Sequence, residues 1–267
     1  MPRGPRSVSA TDAGRSRRGS ADAIEGTVMN QHISSEEHKL QAVYGKLKDL
    51  VVNYRFRPGD HLQITDLAEM LGVSVTPIRE VLTRLYGESL VISHPNRGFF
   101  AKSLAVEEMR ALYELALVIL KYAIQKNLPK LSMEGFDVPV GIRQREDDRS
   151  ISMTSDLCLR YAFFIEHLFE RIATLSENDV MVAIIKNFND RTHYIRMVDL
   201  EAPQNIEFIL GGVARLINQL EQRDQGNVIE TLEELFNAKF SRLTELVEKG
   251  LGRAHMSSIS KLSMAAH

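Results

Sequence analysis

Apolar side chains recur at helical spacing along most of this chain. Leu40, Val43, Tyr44, Leu47, Leu50 and Val51 predict a helix of about four turns, N-capped by Ser35 with Glu36 and Glu37 in its first turn. Pro58-Gly59 breaks the pattern. Thr65 then stands as the cap of a short helix from Asp66 to Leu71, which Gly72 ends at the C′ position. After the turn Val73-Ser74-Val75, Thr76 is placed to cap a third helix that opens on Pro77 and buries Ile78, Val81, Leu82 and Leu85. Two short helices joined through a glycine-containing turn make a helix-turn-helix.

The next segment changes period. Leu90-Val91-Ile92-Ser93 is β-prone, His94-Pro95-Asn96-Arg97-Gly98 has turn chemistry, and Phe99-Phe100-Ala101 is β-prone again. The segment therefore reads as a hairpin, the wing of a winged helix. From Leu104 onward the helical period returns. It predicts helices at 105–127, 152–175, 178–201, 203–223 and 226–249, with a looser stretch from Pro129 to Ser150 that has room for a short helix. The expected fold is mainly α: a winged helix-turn-helix at 35–102, then an all-α helical-bundle effector and dimerisation domain at 103–251. Residues 1–34 read as a disordered arm and 252–267 as a tail.

Composition narrows the classes. The 267 residues are 44% hydrophobic and 25% charged, enough apolar material for two ordinary domains. The 33 basic and 35 acidic residues give a formal charge of −2, so nucleic-acid binding must rest on local motifs and not on a basic chain. The balance drifts from front to back: 5 basic and 3 acidic groups in residues 1–35, 9 and 8 in 36–102, and 19 and 24 beyond. A single cysteine, Cys158, excludes a disulfide framework and a thiolate zinc finger within one chain. No apolar run is long enough to span a membrane, and the N-terminus lacks a secretory pattern. The expectation is a cytoplasmic protein without a membrane partner.

In a winged helix the third helix enters the major groove. Arg79 is then placed to donate two parallel hydrogen bonds to a guanine edge, Ser74 and Thr76 to hold phosphates, and Arg97 at the wing tip to reach a phosphate or the minor groove. Taken singly, Arg79 and Arg84 read as solvated surface charges; within the assembly both are expected to contact DNA. The assembly is more specific than its parts. Gly72-Val73-Ser74-Val75-Thr76-Pro77-Ile78-Arg79-Glu80-Val81-Leu82, with Pro58-Gly59 before it and Arg97-Gly98 after it, resembles the DNA-binding domain of GntR-family transcriptional regulators over residues 40–101. That resemblance implies DNA contacts from Thr65, Ser74, Thr76, Arg79 and the wing residues His94, Asn96, Arg97 and Gly98. The family commonly has Arg where this chain has Val75, which touches a thymine methyl but donates nothing to guanine.

The rear half resembles the FCD effector domain of the FadR-like branch, most clearly at Leu168 to Asn178 and at Ile217 to Asp224 with Val228, Leu232 and Leu235. In most FCD domains an Asp and three His hold a divalent metal that grips a small carboxylate. The register places those positions at Ile165, Phe169, Val213 and Leu235, and the pocket Arg and Glu near Ala116 and Leu120. No metal and no other cofactor is expected. His167 and His193 lie in the right helices for a shifted site, but His167 is about 200° around the helix from Phe169. Two readings stay open: a cavity filled to plain core in an effector-independent regulator, or an apolar pocket for a small hydrophobic or aromatic effector, with Tyr113, Tyr161, Asn187, Arg191 or Arg196 giving the polar contacts. Without a metal or the family Arg, charged effectors are expected to find no anchor.

No phosphate loop, nucleophile elbow or HExxH motif occurs in the sequence, so an enzyme is not expected. The leading expectation is a homodimeric repressor on a double-stranded, palindromic DNA operator, because one recognition helix reads only a few base pairs. The alternative is a winged helix that docks a protein partner.

Overall fold

The periodic segments become helix almost throughout the described residues, 37–143 and 154–257 of the computed structural model. The arm at 1–34, the Ser35 cap and residues 258–267 lie outside them. By its internal contacts the chain divides into Met1–Lys46 and Leu47–His267. Of the first unit the described part is the start of helix α1, which covers 37–52; the packing below belongs to the second.

Helix α2 spans Ile64–Leu71 after Gln63. It opens earlier than the sequence reading, because Thr65 sits inside the first turn with its hydroxyl 3.2 Å from Asp66 Oδ1 and caps nothing. Gly72, at φ 65°, closes the helix in the left-handed region that glycine adopts without steric cost. Helix α3 spans Val75–Gly87 with Ser74 before it. Pro77 is thus its third residue and not its first, where its missing N–H still falls among the first-turn groups that have no intrahelical partner. The apolar face Ile78, Val81, Leu82 and Leu85 is buried.

Strands β1 (Val91–His94) and β2 (Gly98–Ala101) pair antiparallel, Val91 opposite Ala101 and His94 opposite Gly98. Leu62 donates its N–H to Phe99 O and Gly59 to Ala101 O, tying the segment before α2 to the hairpin.

The rear domain consists of α4 (Val106–Asn127), a 3-10 turn (Leu128–Lys130), the short α5 (Val140–Arg143), α6 (Ser155–Thr174), α7 (Asp179–Leu200), α8 (Pro203–Gln222) and α9 (Gln225–Ser257). Thr154 and Asn178 cap α6 and α7 with their side chains. Helix α4 packs on α6, α7 and α9, and α8 on α7 and α9, around a continuous core that includes Leu120, Ile124, Leu168, Ile172, Ile185, Leu216 and Leu243. Helix α9 runs past the expected end at 249. Gly250 lies where α9 approaches Leu104 and Tyr194, so a Cβ there would meet Leu104 Cδ1 at 3.0 Å; it is a close-approach residue and not a stop. Among the described residues no helix is long and apolar enough to cross a membrane.

Candidate nucleic-acid interface and rear cavity

Helix α3 buries one face and exposes the other. Ser74, Val75, Thr76 and Arg79 are all exposed, and Val75 and Thr76 lie four and three positions before Arg79, on its side of the helix. Arg84, further along α3, is exposed as well, and its Nε lies 3.1 Å from Glu88 Oε1, an i, i+4 surface pair of small worth. At the wing, His94, Asn96 and Arg97 are exposed, and the Arg97 guanidinium carbon stands 5.5 Å from the Phe100 ring centroid, an orientation that holds the cation at the hairpin tip. Asn96 and Gly98 both have positive φ, 60° and 85°. Thr65 is exposed on α2.

Gly98 shapes the wing. A Cβ at this position would lie 2.9 Å from His61 Nε2, and His61 is bridged to Phe100 across the hairpin. Gly98→Ala is therefore expected to cost about 1–2 kcal/mol through the left-handed backbone alone, with displacement of His61 added. Thermal unfolding checks it, and an unchanged midpoint contradicts this reading of the turn.

The rear domain contains a cavity of about 50 Å³ among α4, α6, α7, α8 and α9. Ile165, Phe169, Val213 and Leu235 all line it, together with Tyr113. These are the positions the FCD register assigns to metal ligands, and they carry hydrocarbon in place of donor atoms, so they do not fit a divalent metal. His167 is exposed. His193 is buried with its Nδ1 2.8 Å from Glu166 Oε1.

Of the rest of the wall the sequence reading named Arg196 and missed Lys239 and Arg242. Arg196, Lys239 and Arg242 line the same cavity. Arg196 binds Glu166 through Nη1, while Lys239 and Arg242 both bind Asp199, Arg242 at 3.0 Å. Burial alone raises the pKa of Glu166 and Asp199, but the adjacent cations more than offset it and hold both carboxyls below their usual range. The cavity wall thus carries three cations, each paired with a buried carboxylate. The signal was present: Leu235, Lys239 and Arg242 recur at i, i+4 and i+7, on one face of α9.

Residues 39–101 match the family model described as bacterial regulatory proteins, gntR family. The chain is 29% identical over 154 residues, 57% of its length and 71% of the relative's, to the Nta operon transcriptional regulator of Aminobacter aminovorans. It is 21% identical over 207 residues, 78% of its length and 92% of the relative's, to the HTH-type transcriptional regulator YdhC of Bacillus subtilis. Residues 39–101 thus carry a regulatory domain of the gntR type. Solved structures share its fold: a GntR regulator from Rhodococcus sp. RHA1, at TM-score 0.60 and 17% identity, covers 78% of this chain and 98% of its own. Escherichia coli McbR/YncC, at 0.55 and 19%, covers 77% and 97%.

Several expected pocket residues lie elsewhere. Ala116 and Leu120 are wholly buried in the α4 core, and Tyr161 is buried in α6; none borders the cavity. Asn187 and Arg191 face the winged helix. Asn187 Nδ2 donates to Glu88 O at 2.7 Å, and Arg191 binds Glu108, which also binds Lys102 at 2.5 Å. Lys48 to Asp190 at 2.6 Å and the stacked rings of Tyr54 and Tyr194, 4.8 Å apart, complete this seam. Five positions separate Arg191 from Arg196, about 140° of helix rotation, so α7 holds the winged helix with one side and lines the cavity with another.

Proposed function

We propose that this regulator is a homodimeric repressor that binds a palindromic operator through α3 and the wing, and that its rear domain, of the FCD type, senses a small effector without a metal. The observation that carries the DNA-contact assignment is the shared exposure of Thr76 and Arg79 on α3 with Arg97 at the wing tip, the side of a winged helix that meets the major groove. The DNA-contacting set is Thr65, Ser74, Val75, Thr76, Arg79, Arg84, His94, Asn96, Arg97 and Gly98, with Val75 placed for a thymine methyl.

Two-fold symmetry follows from the size of the reading element, since one helix covers too few base pairs for useful specificity. A face for the second copy exists on α4, where Leu115, Val118 and Tyr122 are exposed by 46%, 65% and 44% at i, i+3 and i+7. Such a stripe of large apolar side chains is costly to leave in water. Repression is the simplest consequence, because a dimer seated on an operator blocks it by occupancy alone. The domain limits 35–102 and 103–251 accompany this proposal.

Arg97 tests the DNA reading against a protein-docking one. As a phosphate contact it adds counterion release, so Arg97→Ala is expected to weaken every duplex alike and to reduce the slope of log affinity against log salt by roughly one unit. Titrations of wild type and variant on two unrelated duplexes check this. A wild-type affinity for duplex that is independent of salt contradicts the assignment and favours docking of a protein.

A further inference from the structure

The cavity is two-faced, and its charge does not balance. Its apolar wall is the set of four family metal positions described above. Opposite stand three cations, Arg196, Lys239 and Arg242, whose buried partners are two carboxylates, Glu166 and Asp199. One positive charge is left over beside hydrocarbon. Lys239 Nζ is 5.7 Å from the Tyr113 ring centroid, and the Tyr113 hydroxyl is buried without a hydrogen-bond partner among the described residues. A buried hydroxyl left unmade costs free energy that a bound acceptor removes.

We infer that this cavity binds a small apolar or aromatic monocarboxylate, its carboxylate seated by Lys239 and Arg242 with the Tyr113 hydroxyl donating to it. The inference rests on the proposal that the rear domain senses an effector, and it supplies the chemical class. The hydrocarbon body lies against Ile165, Phe169, Val213 and Leu235, where a second carboxylate or a row of hydroxyls would lose its water without finding partners. Dicarboxylates and sugar acids are excluded on that ground. A neutral ligand leaves the extra cation uncompensated. The size is bounded as well: about 50 Å³, at about 10–15 Å³ per enclosed water, holds roughly four heavy atoms, so a larger acid enters only as a wall side chain such as Phe169 or Leu235 moves aside. Gly212 sets the width of this end, since a Cβ there would lie 2.6 Å from Leu235 Cδ2.

Calorimetric titration of the full chain with butyrate, isovalerate and benzoate, each beside its amide and beside succinate and gluconate, tests the class. At least one of the three acids is expected to bind at least tenfold more tightly than its amide, with succinate and gluconate silent. Lys239→Met and Arg242→Met are expected to lose at least tenfold in affinity for that acid. Tyr113→Phe, which removes only an oxygen atom, is expected to lose about three- to tenfold, with its melting curve in the absence of acid as the check on folding. Amides that equal their acids, tight succinate binding, or no binding by any of the three acids overturns the inference. Duplex affinity is measured separately on the same wild-type protein: an acid that binds without changing it leaves the ligand class standing and removes the sensing proposal.

Discussion

Replacing Arg79 with alanine is expected to lower affinity for the preferred duplex by about 1–3 kcal/mol and to relax base preference at one position in each half-site. The reason is geometric. Arg79 projects from the exposed side of α3 while Ile78, Val81 and Leu82 fix the opposite side in the core, so the helix presents one guanidinium in a set orientation. Two parallel N–H donors match the two acceptors of a guanine edge, and alanine supplies neither. The truncation touches no buried group, so the fold and the phosphate contacts survive, and binding to unrelated duplex is expected to change little. Wild-type affinity and selectivity in Arg79→Ala would remove the recognition-helix assignment.

A larger effect on stability is expected at Glu166. Its carboxylate is buried between His193 and Arg196, whose side chains are 4% and 5% exposed. Glu166→Ala strands the Arg196 charge in the core, a loss of about 3–5 kcal/mol for a broken buried pair; at this chain length that lowers the unfolding midpoint by about 6–20 °C. Asp199, wholly buried beneath Lys239 and Arg242, is of the same kind. Both carboxyls have folded pKa values below their unfolded ones. Their contribution is therefore fully present above the ordinary carboxylate range near pH 4 and is lost as pH falls through the depressed folded values. Acid unfolding of the wild type is expected to steepen below about pH 4, and Glu166→Ala to flatten that dependence. A variant that melts like the wild type, with the same acid limb, contradicts the pairing.

Much of the architecture is legible in the sequence because its causes are local. Gly72, Pro77 and the turn His94 to Gly98 punctuate the winged helix, and the helical period marks the rear helices to within a few residues. The four apolar cavity positions follow from register. Errors appear where distant chain decides. The last helix reads as ending at 249, whereas it continues through Gly250, where it passes close to Leu104 and Tyr194. Asn187 and Arg191 read as pocket groups until Glu88 and Glu108, some 99 and 83 residues away, are seen to claim them. Lys239 and Arg242 share a helix face with Leu235, but their partner Asp199 stands 40 and 43 residues earlier, so spacing within α9 does not reveal the pairing.

The central claim is that a dimer of this chain reads DNA through two copies of α3. Selection of bound duplexes from random DNA by the purified full-length protein tests it most directly. The expected result is an enriched inverted repeat, with half-site centres one helical turn or a multiple apart, whose enrichment is lost for Arg79→Ala. No enrichment over input, or a single half-site without a two-fold partner, would contradict it.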